Sequence, residues 1–482
     1  MDIYAGGRLS ACCVFTDERR IFLHSAKQKS RPDLCEGPLL KNILTYTVPI
    51  ILTGILQLLF NAADLVVVGQ YCGDLSVAAV GATGALINLI INLFIGLSVG
   101  AGVTVAHNLG AGKEEAVHRT VHTAIPAAII SGIFLTIVGV AFSHTFLELM
   151  DTPDEVIGLA SEYMQIYFCG ITASMLYNFG AAILRAAGDT KSPLYYLTAA
   201  GVVNVALNIV FVRVFNMNVS GVALATAISQ ALSAGMVIIN LMRRTDCCRL
   251  SLRKMRIYRR QLGRILSIGF PAGVQGSLFS ISNVIIQASV NSFGSVVVSG
   301  NSAAANIEGF VYTTMNSFQQ TALNFTGQNY GAGKYERIKR TAVICLLSVF
   351  IAGLAAGCTV YAFGRQLLSF YIPGSDESIK YGMIRLAYIC IPYFLCGLMD
   401  VATGLIRGLG SSLLPMIITV VGVCGMRICW IYTVFRSEKY HSVQSLYISY
   451  AISWSLTFLT ELAVFIVLYR KITRRRKMMM RS

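Results

Sequence analysis

Long apolar runs, separated by short polar segments, recur along almost the whole chain. Each run has about 20 residues or more and few charges, the length that an α-helix needs to cross roughly 30 Å of hydrocarbon. The runs cover residues 43–69, 80–106, 120–143, 157–184, 194–215, 220–242, 265–292, 298–326, 341–363, 379–406, 413–435 and 444–469. The pattern therefore predicts an all-α membrane protein with twelve transmembrane helices.

The composition agrees with this pattern and excludes a water-soluble class. Apolar residues make up 55% of the 482 residues, charged residues make up 13%, and the mean hydropathy is +0.65. The 13 cysteines are scattered mostly through the runs, without a CxxC pair or a metal-type spacing with the six histidines. We interpret them as buried apolar thiols and expect no cofactor.

The net charge of +16 is explained by the places where the basic residues fall. If the N-terminus is cytoplasmic, 32 of the 39 Lys and Arg residues lie in predicted inner segments, five in outer loops and two within spans. This distribution follows the positive-inside rule and predicts that both termini face the cytoplasm, with the chain in the plasma membrane, the inner membrane of a bacterium. The basic loops lack an aromatic stacking pattern, so nucleic acid is not an expected partner.

A set of non-apolar residues recurs at a nearly constant offset. Three residues of the first span return 222 positions later, as the pairs Pro49/Pro271, Gly54/Gly276 and Asn61/Asn283. The same offset relates Arg185/Arg407, Gly188/Gly410 and Pro193/Pro415, and the sequence Gly-Ala-Gly-Lys ends at Lys113 and again 221 positions later at Lys334. Shared composition cannot keep polar residues in register over such a distance, so we infer an internal duplication.

The duplication divides the chain into an N-terminal arm (1–42), a first half (43–242), a basic linker (243–264), a second half (265–469) and a basic tail (470–482). Six spans in each half make the repeats parallel, an arrangement in which transporters hold their substrate between the halves. We expect residues 1–36, which lack the apolar stretch of a signal peptide, to form a disordered cytoplasmic arm. The Arg-rich linker is able to form an amphipathic surface helix.

The Gly110-Ala-Gly-Lys113 segment and its repeat resemble part of a phosphate loop but lack the upstream glycine and the following Ser or Thr. We therefore expect a helix-ending turn at both places and no nucleotide as a partner.

Ionisable residues inside spans are costly, at about 2.5–3.5 kcal/mol each at the bilayer centre, and are functional candidates by default. They are Asp64, Glu308, Arg385, Asp400, Arg427 and Glu461. Asp64 is the main candidate, with a snorkelling carboxylate near the helix end as the alternative. Asp400 could instead be a structural partner of Arg385 or Arg427, and we expect structural roles for Glu308 and Glu461.

Two amides in span 5 add to these candidates. Asn204 and Asn208 are four residues apart, so they share one face of a helix and offer two amide oxygens to the bundle interior. Hydrogen bonding between helices is the alternative role for this pair.

The chain resembles the multidrug and toxic compound extrusion (MATE) transporters of the multidrug/oligosaccharidyl-lipid/polysaccharide flippase superfamily. The resemblance covers roughly residues 43–470. It rests on Asn61-Ala-Ala-Asp64-Leu-Val-Val-Val-Gly69, on the paired Gly-Ala-Gly-Lys turns and on Leu184-Arg185-Ala-Ala-Gly188-Asp189-Thr190, together with the duplication.

The resemblance implies a secondary antiporter, not an enzyme, that exports organic and often cationic compounds in exchange for H⁺ or Na⁺ by alternating access. Matching the family motif implies a cation site of Asp64, Tyr163, Asn204, Asn208 and Thr226. Asn208 departs from the family pattern, which usually has Asp there, so the site keeps one carboxylate. Asp400 matches a carboxylate that some members use in the second half, whereas their span 7 carboxylate has no counterpart here.

The sequence suggests further roles and leaves other functions open. Pro49, which lacks an amide hydrogen, is a candidate hinge in span 1. We expect a monomer whose partners are organic small molecules, H⁺ or Na⁺ and the lipid bilayer. The main alternative function is a flippase for lipid-linked oligosaccharide precursors, and the third is a channel or receptor that transports no substrate.

Overall fold

The computed structural model describes residues 34–150 and 152–479, and all regular structure within these ranges is helical. The helices of the first half are α1 (Leu39–Tyr71), α2 (Asp74–Gly110), α3 (Glu114–Glu148), α4 (Asp154–Ala186), α5 (Lys191–Ile209) and α6 (Val219–Arg243). Those of the second half are α7 (Arg259–Asn291), α8 (Ser295–Gly331), α9 (Tyr335–Ala362), α10 (Gly364–Tyr371), α11 (Asp376–Arg385), α12 (Tyr393–Gly408), α13 (Leu413–Thr419), α14 (Met426–Trp430) and α15 (Val443–Met479). Wider π-helical turns extend α5 over Val210–Val214, α11 over Leu386–Cys390, α13 over Val420–Gly425 and α14 over Ile431–Phe435.

Ten helices within the described ranges are long and apolar enough to cross a membrane. The count becomes eleven if Asp376–Cys390 and Tyr393–Gly408, which are bent by 41° at their junction, form one span. The predicted eighth span, 298–326, lies within α8, which has 37 residues but is not among these helices. Twelve spans therefore stay a prediction.

Two left-handed glycines end α2 and α8 in the same way. Gly112 has φ +65° and Gly333 has φ +67°, a conformation that glycine adopts at little cost. The Lys113 amide donates to the Asn108 carbonyl at 3.0 Å, and the Lys334 amide donates to the Asn329 carbonyl at 2.9 Å. These bonds reach back across the last helical turn, so the predicted helix-ending turns at the repeated Gly-Ala-Gly-Lys segments are confirmed.

The linker does not form the amphipathic helix that its composition allowed. Between α6 and α7 its one helical piece is the short 3₁₀ turn Leu252–Lys254. Cys248 and Leu250 are buried in the core of the first half, and the Leu250 amide donates to the Leu241 carbonyl at 2.9 Å. The linker therefore folds back onto the first half, because this buries its few apolar residues against protein.

The last residues of the predicted disordered arm are packed against the protein. Residues 1–33 lie outside the described residues, but Leu34 is buried and its carbonyl accepts a hydrogen bond from Asn329 Nδ2 at 2.8 Å. Arg337 Nη1 donates to the Gly37 carbonyl at 3.0 Å. The segment 34–37 is thus packed against the second half before α1 begins.

The first helix of each half begins against the other half. Ile43 and Tyr46 of α1 are buried in the core of the second half, where the Tyr46 ring meets the Phe325 ring edge-on at 5.4 Å. Ile265 of α7 belongs to the core of the first half in the same manner. This exchange joins the halves at the face that carries Lys113, Lys334 and the linker, which we call the basic face.

The halves meet closely near the basic face along a seam of glycines. A Cβ atom on Gly96 or Gly100 of α2 would overlap backbone atoms of α7, and one on Gly269 or Gly273 of α7 would overlap backbone atoms of α2. Near the end of α2 a hydrogen bond also joins the halves: His107 Nε2 donates to the Gly408 carbonyl of α12 at 2.7 Å.

Candidate cation site and central cavity

Four of the five residues predicted to bind a cation meet in the interior of the first half. Asn208 Nδ2 donates to Asp64 Oδ1 at 2.5 Å and lies 3.3 Å from Asn204 Oδ1. Asn204 Nδ2 donates to Thr226 Oγ1 at 3.3 Å, and Thr226 Oγ1 lies 3.4 Å from Asp64 Oδ2. Asp64 therefore faces the helices of the bundle, and the alternative of a snorkelling carboxylate is wrong.

Several oxygens of this cluster are only weakly satisfied. The Thr226 hydroxyl has one hydrogen, and the Val222 carbonyl, at 3.0 Å, is a nearer acceptor for it than Asp64 Oδ2. Asn208 Oδ1 is buried and has no hydrogen-bond partner among the described residues. Buried acceptors are normally paired, so these oxygens are suited to a proton on the carboxylate or a small cation between them.

The local form of α5 brings its amides to Asp64. Asn204 and Asn208 are one turn apart on the same face, as predicted, and the π-helical turn begins two residues after Asn208. Such single-turn widenings are frequent at functional sites. Within the described residues, no group of three His, Cys, Asp or Glu side chains is placed to hold a metal. One carboxylate with neutral oxygens fits a monovalent ion or a proton.

Tyr163 and Pro49 stand apart from this cluster. Tyr163 is buried on α4, where its ring lies 6.2 Å from the Tyr167 ring, and no hydrogen bond joins it to Asp64 among the described residues. Pro49 is buried inside α1, which continues through it as a helix. The Pro49 carbonyl accepts a hydrogen bond from Thr53 Oγ1 at 2.6 Å. Pro49 thus shares a helix with Asp64, whereas Tyr163 lies on a different helix, and neither forms a hydrogen bond with the Asp64 carboxylate among the described residues.

A cavity of about 230 Å³ lies between the halves, mainly between α1 and α8. Its lining consists of Ile50, Thr53, Gly54, Gln57, Leu58, Asn61, Arg185, Tyr312, Thr313, Asn316, Ser317 and Gln320. Arg185 is the one charged residue in this lining, and its Nη1 donates to Gln320 Oε1 at 2.5 Å. The surface offered to a ligand is therefore rich in amide and hydroxyl groups, and α1 connects it to Asp64.

A second buried carboxylate cluster lies in the second half. Asp400 on α12 is buried, and its Oδ2 has no hydrogen-bond partner among the described residues. One turn further on, Thr403 Oγ1 lies 2.9 Å from both carboxylate oxygens of Glu461 on α15, and Thr419 donates to Glu461 Oε1 at 3.0 Å. Arg407 binds Gln275 Oε1 at 2.6 Å. The second half thus has two buried carboxylates near one arginine.

Neither of the suggested arginine partners of Asp400 forms an ion pair with it. Arg385 pairs with Glu308 at 2.6 Å, as the structural interpretation of Glu308 predicts. Arg427 is fully buried, donates to Ser453 Oγ at 3.1 Å and lies 3.9 Å above the Tyr450 ring. Among the described residues it forms no ion pair, so neither of the two suggested arginines is a salt-bridge partner of Asp400.

Comparison with known proteins places this architecture in a family. The MatE family profile matches the chain twice, over residues 49–210 and 271–433, and the second match begins 222 residues after the first. The two matches together cover more than half of the chain. The chain belongs to the MatE family. It is accordingly a multi-pass transporter of the plasma membrane and not an enzyme.

Relatives of this MatE chain share most of its length. The probable multidrug resistance protein YoeA of Bacillus subtilis is 25% identical over 410 residues, covering 83% of this chain and 87% of the relative. The FAD transporter of Shewanella oneidensis is 23% identical, covering 71% of this chain and 76% of the relative. A solved structure of a MOP superfamily transporter from Pyrococcus furiosus superposes with a TM-score of 0.85 at 21% identity, covering 91% of this chain and 98% of that one, which shows the fold.

Sequence reasoning about this MatE chain identified most of the first cluster but not the second. Glu461 was a candidate only because it is a carboxylate in a span, and nothing in the sequence joined it to Thr403, Thr419 or the neighbourhood of Asp400. Gln275 has no charge and therefore gave no signal. A usable signal would have been the shared depth of Asp400 and Glu461, since each lies about two turns from the inner end of its predicted span.

Proposed function

We propose that this chain is a secondary active antiporter that exports organic, often cationic, compounds in exchange for H⁺ or Na⁺. The observation that carries the proposal is the position of Asp64, a carboxylate inside the first half that contacts an amide on α5 and a hydroxyl on α6. An incoming cation neutralises this carboxylate and removes the cost of a buried charge. Its binding thereby changes the relative stability of the two conformations between which the transporter alternates.

Helix α1 is the element through which the two events are coupled. It carries Asp64 near one end, lines the central cavity through Thr53, Gln57 and Asn61, and contains Pro49 on the basic-face side of both. A bend at Pro49 would move the carboxylate and the cavity wall together, because the missing amide hydrogen leaves one helical hydrogen bond unmade. The halves would then rock about the cavity, exposing it to one side of the membrane at a time.

The proposed topology has twelve spans, with both termini and the basic face in the cytoplasm, and α8 as the eighth span. The glycine seam and the His107–Gly408 hydrogen bond close the basic face in this structure. The conformation then corresponds to one whose cavity is sealed from the cytoplasm. The basic residues concentrated at this face support the orientation.

The cavity supports an organic substrate over a lipid-linked pyrophosphate. A flippase for such a precursor needs several cations to hold two phosphates, whereas Arg185 is the one charged residue in the cavity lining and already binds Gln320. The amide and hydroxyl groups of the lining suit polar organic molecules. Relatives include a multidrug resistance protein and an FAD transporter, so the assay below uses a cationic and an anionic dye.

Transport of fluorescent dyes into inverted membrane vesicles, under an imposed pH or Na⁺ gradient, tests the proposal. Wild-type protein should accumulate dye under one of the two gradients, and Asp64→Asn should abolish the accumulation while inserting normally. Asp154→Asn, which removes an exposed carboxylate near the start of α4, is the matched control and should transport like wild type. Gradient-driven transport that persists in Asp64→Asn contradicts the proposal.

A further inference from the structure

A second pocket, of about 570 Å³, opens on the basic face where the two halves meet. One wall comes from the α2–α3 turn and the start of α3, and the other from the start of α7. Its charged lining residues are Lys113, Glu114, Glu115, Arg119, Arg259, Arg260 and Arg264. Arg119 is paired with Glu115 at 2.8 Å, while the other four basic residues form no ion pair within the described part of the chain.

The equivalent position in the second half shows how the fold neutralises a lysine at this place. Lys334, the counterpart of Lys113, pairs with the Glu36 carboxylate at 3.2 Å and donates to the Cys35 carbonyl at 3.0 Å. The segment that supplies Glu36 precedes α1, just as Tyr258 precedes α7. Tyr258 stands 222 residues after Glu36, at the duplication offset, and brings no carboxylate to Lys113.

The positive-inside rule explains why basic residues lie on this face but not why they line one concave pocket at the junction of the halves. Arg259, Arg260 and Arg264 lie within two turns of α7, and Lys113 faces them from the first half. Guanidinium groups bind phosphate oxygens through paired N–H donors, and lysine adds a point charge. Gln261 and Tyr258, also in the lining, are neutral groups that can donate hydrogen bonds.

We propose that this pocket binds a phosphate group, carried by an anionic lipid headgroup or free in solution, and that the bound group links the two halves at the basic face. Lys113 holds it from the first half and the α7 arginines hold it from the second. The two walls already touch each other: the Tyr258 amide donates to Thr123 Oγ1 of α3 at 3.2 Å, and the Arg119 guanidinium lies 5.5 Å from the centre of the Tyr258 ring. A bound phosphate group therefore adds a charged bridge to a contact that already joins α3 to the start of α7.

Binding to the purified full-length protein in a zwitterionic detergent–lipid mixture tests the proposal. Thermal unfolding is followed while phosphatidylglycerol, phosphatidylcholine or inorganic phosphate is titrated. The double variant Arg260→Gln/Arg264→Gln should bind about thirtyfold more weakly, from about 1 kcal/mol for each basic group near a membrane surface. Arg260→Lys/Arg264→Lys should stay within a few-fold of wild type.

The matched control is Lys339→Gln/Arg340→Gln, which removes two exposed charges from α9 outside the pocket and should bind like wild type. Binding of phosphatidylglycerol without inorganic phosphate assigns the site to a lipid headgroup, and equal binding of inorganic phosphate assigns it to the free ion. If the Arg260→Gln/Arg264→Gln protein does not fold, Lys113→Gln provides the test from the first half, with about a fivefold loss. Unchanged affinity in the pocket variants, or an equal loss in the α9 control, overturns the proposal.

Discussion

The amide of Asn208 occupies the position at which the MATE resemblance leads us to expect a carboxylate, and it bonds directly to Asp64. Asn208→Asp would place two carboxylates at hydrogen-bond distance. Their mutual repulsion is relieved by a cation or proton between them, so we expect the half-saturating Na⁺ concentration for thermal stabilisation to fall about tenfold or more. The control is Asn178→Asp, since the Asn178 amide bonds to the carbonyl of Ser174 on its own helix at 2.8 Å. A Na⁺ response equal to that of the control would contradict this expectation.

Glu461 depends on two hydroxyl groups in a fully buried site. Thr403→Val removes the hydroxyl that lies 2.9 Å from each of its oxygens. A buried charged acceptor that loses its donor destabilises the fold, and we expect a loss of about 2 kcal/mol in the free energy of unfolding in detergent. Adding Glu461→Gln should restore part of this loss, because a neutral amide is less costly to bury.

The matched control for that pair is Thr433→Val, which removes an exposed hydroxyl bonded to the Cys429 carbonyl of its own helix. Its stability should remain within about 0.5 kcal/mol of wild type, as is usual for surface substitutions. Equal stability of the Thr403→Val and Thr433→Val proteins would show that Thr403 does not support Glu461.

Charged residues within spans could be found from the sequence, but their partners could not. The apolar pattern locates Glu308 and Arg385 in different spans, and the positions alone do not say that their side chains meet at 2.6 Å. For the same reason the sequence could not exclude Arg427 as a partner of Asp400. In the first half the family motif replaced this missing information, which is why Asp64, Asn204, Asn208 and Thr226 could be grouped in advance.

Among the elements, helices were predictable wherever apolar residues made them long. Every predicted span coincides, to within one residue at its end, with a helix or a broken helical segment. Most helices extend several residues beyond the apolar run, as α2 does at both ends. Apolar composition registers only the part of a helix that lies in hydrocarbon, so the interfacial turns are missed. The π-helical turns and the bend between α11 and α12 depend on packing and gave no compositional signal.

Close contact between α2 and α7 leads to a prediction about the closed basic face. Gly273→Val places a branched side chain where the Leu93 backbone lies, so the halves should no longer meet there. We expect a longer distance between spin labels attached to unnatural amino acids at positions 113 and 334. Gly84→Val in α2, where a Cβ atom meets nothing within 4 Å, should keep the wild-type distance. An unchanged distance in Gly273→Val would exclude the seam as a closure element.

In the whole molecule, the duplication predicts which residues correspond but not which residues touch. The 222-residue offset relates α1 to α7, yet it does not reveal that each of these helices begins in the core of the opposite half. This exchange is a property of two bundles placed face to face. It explains why residues 34–36, expected to be disordered, are packed: their partners, Asn329 and Arg337, lie in the second half.

The count of six spans in the second half depends on whether α8 crosses the membrane. Its polar residues weaken the hydrophobic signal, but Asn301, Asn324 and Asn329 are buried against other helices, so they need not face lipid. We expect a phosphatase fused after Phe293 to be active outside the cell and a green fluorescent protein fused after Gly333 to be fluorescent inside it. A fusion after Gly112 is the internal reference. A phosphatase fused after Gly333 should be inactive. Activity of that fusion would show that α8 does not cross, and every loop after α8 would then lie on the side of the membrane opposite to the predicted one.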